Sequence, residues 1–127
     1  VNLKLGWADR PFQRLVILRL ENFMGYYTRY ELSVINGDNN LITELREFSE
    51  DANYAINDNG ESEDSCKWYK CQEDLKKFSS MHPSTLFKLS GEGEESGDIW
   101  NAYFKDGKMQ MCKAKIVFDE FNAELLK

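Results

Sequence analysis

Residues 99–118 constrain the fold most. Trp100, Ala102 and Phe104 alternate with polar or aromatic neighbours, and Asp106-Gly107 follows at once. An Asp-Gly pair after a period-two run is the strongest short-range signal for a two-residue β-hairpin, because both central positions need a backbone that Asp and Gly tolerate. The returning run carries Cys112, Ala114, Ile116 and Phe118 on one face, with Lys113 and Lys115 expected outside. A chain with this hairpin must pair antiparallel strands and bury one face of them.

The rest of the sequence supplies what could cover that face. Thr28, Tyr30, Leu32 and Val34 alternate with Arg29, Glu31, Ser33 and Ile35, which predicts a strand. Asn36-Gly37-Asp38 breaks it, Asn39 or Asn40 is expected to cap a helix, and Leu41, Leu45 and Phe48 have helical spacing. Ala52 to Ile56 and Cys66 to Tyr69 read as two short strands separated by the turn Asn57-Asp58-Asn59-Gly60. Glu73 and Asp74 open a second helix with Leu75, Phe78 and Met81 on its inner stripe, and Pro83 ends it. Leu86 to Ser90 is a strand, 91–98 a glycine-acid loop, and 120–127 a short helical turn. The order predicts an α+β fold: a ferredoxin-like split βαβ sandwich, with an antiparallel sheet, two helices on one face and an extended C-terminal β-hairpin.

Charge decides which partners such a fold could meet. The 127 residues carry 16 basic and 22 acidic side chains, a net charge of −6. Residues 1–23 hold Lys4, Arg10, Arg14 and Arg19 against Asp9 and Glu21, so the acidity belongs to residues 24–127. Two readings of 1–23 stand side by side: a basic N-terminal extension outside the working domain at 24–127, or an element that packs on the sheet. The extension reading rests on Leu20-Glu21-Asn22-Phe23 before Met24, which a ribosome-binding site translated in frame would encode. A surface this acidic repels phosphate backbones and attracts basic ones.

The residues offer no catalytic motif. Cys66, Cys71 and Cys112 are odd in number, and His82 is the one histidine, too few for a structural zinc site. Free thiols and a cytoplasmic location are expected, with no metal, no cofactor and no membrane span. Glycines form neither a P-loop nor a dinucleotide fingerprint, and His82 next to Pro83 reads as a helix-end residue.

The pattern from Lys67-Trp68 through LKKFSSMHP to LFKLSGEGEESGDIWNAYFKDGK resembles the Api-like ferredoxin-like domain of small phage- and plasmid-borne proteins. Lys67, Trp68, Ser79, Pro83, Phe87, Glu92, Glu94, Gly97, Trp100 and Gly107 carry the resemblance. It implies the fold and a mobile-element origin, and little about function.

These strands of argument lead to a non-enzymatic acidic binding protein. The partner expected is a protein, such as a basic host nuclease whose nucleic-acid groove the acids would occupy, in the manner of an anti-CRISPR inhibitor. Glu61, Glu63, Asp64, Glu92, Glu94, Glu95 and Asp98 are the expected acidic contacts, and Tyr27, Trp100 and Tyr103 the aromatic ones. Two alternatives belong to other classes. One is a nucleic-acid-binding sheet with a basic patch from Lys67, Lys70, Lys76, Lys77, Lys113 and Lys115. The other is a small metal-dependent enzyme using the Glu92–Asp98 loop.

Overall fold

The structure, a computed structural model, describes residues 25–127. Both readings of 1–23 therefore lie outside the described residues. The described residues are α+β, with a four-stranded antiparallel sheet and helices packed on it. The elements are β1 (Thr28–Val34), α1 (Asn40–Phe48), α2 (Glu50–Ala55), α3 (Cys71–Met81), β2 (Phe87–Gly93), β3 (Ile99–Lys105), β4 (Lys108–Lys113) and a 3-10 turn (Ala123–Leu125).

The sheet order is β1-β2-β3-β4, every neighbour antiparallel. Strands consecutive in sequence are adjacent in space, so the interleaving of a split βαβ plan is not what the described ladder displays. Among the described residues, the three α-helices fall between β1 and β2. The two strands expected in that interval are absent from the sheet for separate local reasons. Residues 52–55 are helical because Ser49 caps α2: its Oγ accepts the Ala52 N–H at 3.1 Å, and Glu50 and Asp51 occupy the first turn. Residues 66–69 make only an isolated bridge, Thr28 to Cys66, before Trp68 turns into the core.

Alternation sets one sheet face as the core. Tyr30, Leu32, Phe87, Leu89, Ala102 and Phe104 are buried with Leu41, Ile42, Leu45, Trp68, Leu75 and Phe78 from the helical layer. Phe78 anchors the layer, its ring 5.6 Å from both Phe48 and Phe87 and 4.5 Å from the His82 ring. Met81, expected on the inner stripe, is exposed. Asn39 holds the N-cap position of α1, as expected, but its side chain makes no capping hydrogen bond; instead Asp38 Oδ1 accepts the Asn40 N–H at 2.9 Å.

Asp106 and Gly107 both take positive φ, 51° and 80°, as a two-residue hairpin turn demands. That turn pairs Phe104 with Met109 and Ala102 with Met111. The phase of β4 is therefore opposite to the expected one: Met109 and Met111 pack on the core, while Cys112 lies on the other face. β4 also ends at Lys113, and Ile116 and Phe118, expected on a buried face, are exposed.

The outer edge of β1 is covered. Residues 60–66 run beside it, with Leu32 N–H donating to the Gly60 carbonyl at 2.7 Å and Cys66 N–H to the Thr28 carbonyl at 2.9 Å. Gly60 sits at φ 85°, where a Cβ would strike the Leu32 carbonyl. Among the described residues, no helix is long and apolar enough to cross a membrane.

Candidate functional site: an acidic groove at one end of the sheet

The covering strip at β1 brings the two acidic segments of the sequence together. Glu61 lies in the strip, bridged through its backbone to Glu31, and Glu92 sits on β2 across from Arg29. Glu31, Glu61 and Glu92 line one groove of about 380 Å³ with Arg29, Gly91, Ile99 and Trp100. On the other face of the same strands Gly91 has no side chain, and the Trp100 ring lies directly over it and turns edge-on to Tyr30, centroids 6.3 Å apart. Glu92 and Glu94 also line an adjoining cleft of about 230 Å³ with Tyr27, Arg29 and Ser65.

The seven expected acids do not act as one surface. Glu94 accepts the Tyr27 N–H, and Asp98 accepts the Tyr26 hydroxyl, so both fasten the segment before β1 to the β2–β3 loop. Partial burial and then the Asp98 hydrogen bond push the Tyr26 phenol up to about 12. Glu95 is exposed on that loop, and its N–H donates to the Tyr26 hydroxyl at 3.3 Å. Glu63 and Asp64 line a separate cleft of about 310 Å³ with Arg46 and Tyr54. Gly91, Glu92 and Gly93, expected in a loop, are the end of β2. Glu31, Glu61 and Glu92 have no side-chain ion pair or hydrogen bond among the described residues, so their charge faces the groove uncompensated except by Arg29. The Arg29 guanidinium is itself turned to the Ser62 and Glu63 carbonyls at 3.2 Å.

The three expected aromatics are also separated. Tyr27 is exposed beneath the Lys67 ammonium, 5.2 Å from its ring centre. Trp100 and Tyr103 are three residues apart on β3 and so point to opposite faces of the sheet. They cannot form a single hot spot. Tyr103 lines its own cleft with Lys105, Lys108 and Met109.

Sequence reasoning missed Glu31, which reads as an ordinary outward strand residue until Glu61 is laid beside it. It missed Tyr54, taken for a strand residue and turned out to solvent by α2. It also missed a basic row on the open sheet face, where Lys88 pairs with Tyr103 and Lys105 with Lys108. The six lysines named from sequence do not gather there, since Lys76 and Lys77 belong to α3 on the opposite layer and Lys67 covers Tyr27. Among the described residues, no three His, Cys, Asp or Glu side chains converge to hold a metal ion, the Glu92–Asp98 carboxylates included. Cys66 and Cys71 are buried free thiols, and burial pushes Cys71 up to about 12.

With this geometry in hand, comparisons with protein-family models, with curated proteins and with solved structures returned no match. The groove and its charges are therefore the ground for a functional reading.

Proposed function

We propose that the protein is a non-enzymatic binding module that offers the groove around Glu31, Glu61 and Glu92 to a basic protein surface. The observation that carries this reading is the convergence of Glu61 and Glu92, 31 positions apart in sequence, on one groove with Glu31. Carboxylates without side-chain partners among the described residues are available to lysines and arginines of another chain, and steer its approach. A ferredoxin-like ancestry, a mobile-element origin and a host nuclease as the partner are the finer parts of the proposal. The resemblance in residues 67–110 supports the first two, and the net negative charge supports the third.

The experiment is affinity capture from host lysate followed by binding of the captured protein at low and high salt. The variant Glu31→Lys/Glu61→Lys/Glu92→Lys is expected to lose binding while its circular dichroism is unchanged. Duplex DNA is expected to compete if the partner's nucleic-acid groove is the contact. Binding that ignores salt, charge reversal and DNA alike overturns the reading.

A further inference from the structure

The outer edge of β4 and the segment after it fit one another across two molecules. Residues 114–127 contain Ile116, Val117, Phe118, Phe121, Leu125 and Leu126, each 69–87% exposed. Isolated exposed apolar residues need no explanation, but six within eleven positions form a sticky strip. At roughly 150 Å² for each large apolar side chain, Ile116, Val117 and Phe118 present about 350 Å², and a reciprocal exchange of that segment would bury about 700 Å², so the contact would rest on main-chain pairing along a strand edge as much as on apolar burial.

A strand edge is available to receive it. The Ala114 N–H donates to the Ile99 carbonyl at 2.8 Å, so the even-numbered residues of β4 turn their backbone groups toward β3. The N–H and C=O groups of Met109, Met111 and Lys113 therefore face outward, and β4 is a sheet edge that no described residue pairs. β1, the other edge, is covered by residues 60–66. A bare edge is a template for another strand.

The strip cannot fill its own edge. Residues 113–118, Lys-Ala-Lys-Ile-Val-Phe, continue in line with β4 past the start of β3 and contain no Gly, Pro, Asn or Asp to reverse direction. They are β-prone residues with no ladder to join.

We propose that the occupant is a second copy of this chain: residues 114–120 of each copy add antiparallel to the β4 edge of the other, about a twofold axis at Ala114. The hydrogen-bond parity permits only registers that pair odd residues with odd. The one centred on Ala114 sets Met111 against Val117, Cys112 against Ile116 and Gln110 against Phe118. It also sets Lys108 against Glu120, an opposite-charge cross-strand pair. Sliding by two residues either way would place Lys113 or Lys115 on the axis against its own copy. In the chosen register Lys113 faces Lys115, a repulsion at an exposed position that salt screens. The two four-stranded sheets become one continuous sheet. This proposal does not depend on the acidic groove, whose carboxylates belong to β1, β2 and the strip beside β1.

The test is sedimentation velocity on the full 127-residue chain from low to high micromolar concentration. A species of twice the 14.8 kDa chain mass is expected. Ile116→Asp/Phe118→Asp, whose side chains are exposed, should be a folded monomer. Lys108→Glu should weaken the dimer several-fold, and adding Glu120→Lys to it should restore the affinity. Ala114→Cys with Cys112→Ser should form a disulfide-linked dimer on mild oxidation, since residues facing across a non-hydrogen-bonded pair lie within disulfide reach. A chain monomeric at every concentration overturns the proposal. So does protection of the Met109 and Met111 amides in that monomer, which would assign the edge to residues 1–24. Failure of the Lys108–Glu120 swap and of the Ala114→Cys cross-link overturns the register.

Discussion

The indole N–H of Trp68 donates to Oδ2 of Asp74 at 2.8 Å. The same oxygen accepts the Ser49 hydroxyl, also at 2.8 Å, and Ser49 in turn caps α2. One carboxylate thus joins the loop before α3, the first turn of α3 and the junction of α1 with α2. Trp68 is among the most buried side chains, so its N–H has no water to fall back on. Asp74→Ala is expected to cost about 2–3 kcal/mol, the penalty for a buried donor without its acceptor. Urea denaturation followed by fluorescence checks it. A change below about 0.5 kcal/mol would mean that the indole finds another partner.

Phe78 is the keystone of the helical layer. Its ring meets Phe48, Phe87 and His82, and it is 1% exposed. Phe78→Ala should cost about 3–5 kcal/mol, because no neighbour can collapse into the space. Phe48→Ala should cost less, since that side chain is partly in solvent. The difference between the two denaturation midpoints is the measurement.

Gly91 makes room for the Trp100 ring. A Cβ there would collide with the Trp100 ring, so Gly91→Ala must displace the indole or bend β2. The expected loss is about 1–3 kcal/mol, as for other overpacked sites. A shift in tryptophan emission on the folded protein should accompany it, and unchanged emission would show that the strand yields instead of the ring.

Alkali should destabilise the fold. Burial raises the Cys71 thiol from its ordinary 9.0 to about 12, and Tyr26 rises from 10.0 to about 12. The unfolded chain ionises these groups first, so between pH 9 and 12 it binds fewer protons than the native state, and stability falls as pH rises. Each fully titrating group contributes at most about 1.4 kcal/mol per pH unit. Cys71→Ala is expected to flatten the pH dependence from the low end of that window, and Tyr26→Phe from pH 10 upward. Denaturation midpoints at several alkaline pH values test both.

Local chemistry alone determined much of this protein. The alternation in 28–34 and 99–105, the Asp106-Gly107 turn, and the helical spacing of Leu41, Leu45, Leu75 and Phe78 each depend on neighbours a few residues away. Those elements can be read directly, and so can the acidic balance. Tertiary structure decided the rest. Whether residues 52–55 are helix or strand turned on the Ser49 cap and on two alanines small enough to bury beneath α2. Whether Cys112 or Met111 faces the core turned on the turn's register, since a shift of one residue exchanges the faces of a strand. The strand order was also invisible, because antiparallel neighbours are chosen by which faces must be covered together. The groove illustrates the same limit. Glu31, Glu61 and Glu92 come from three separate segments, and only the backbone pairing of 60–66 with β1, and of β1 with β2, sets their carboxylates around one opening. Charge is a property of residues, but a charged site is a property of distances, and those exist only once the chain has folded.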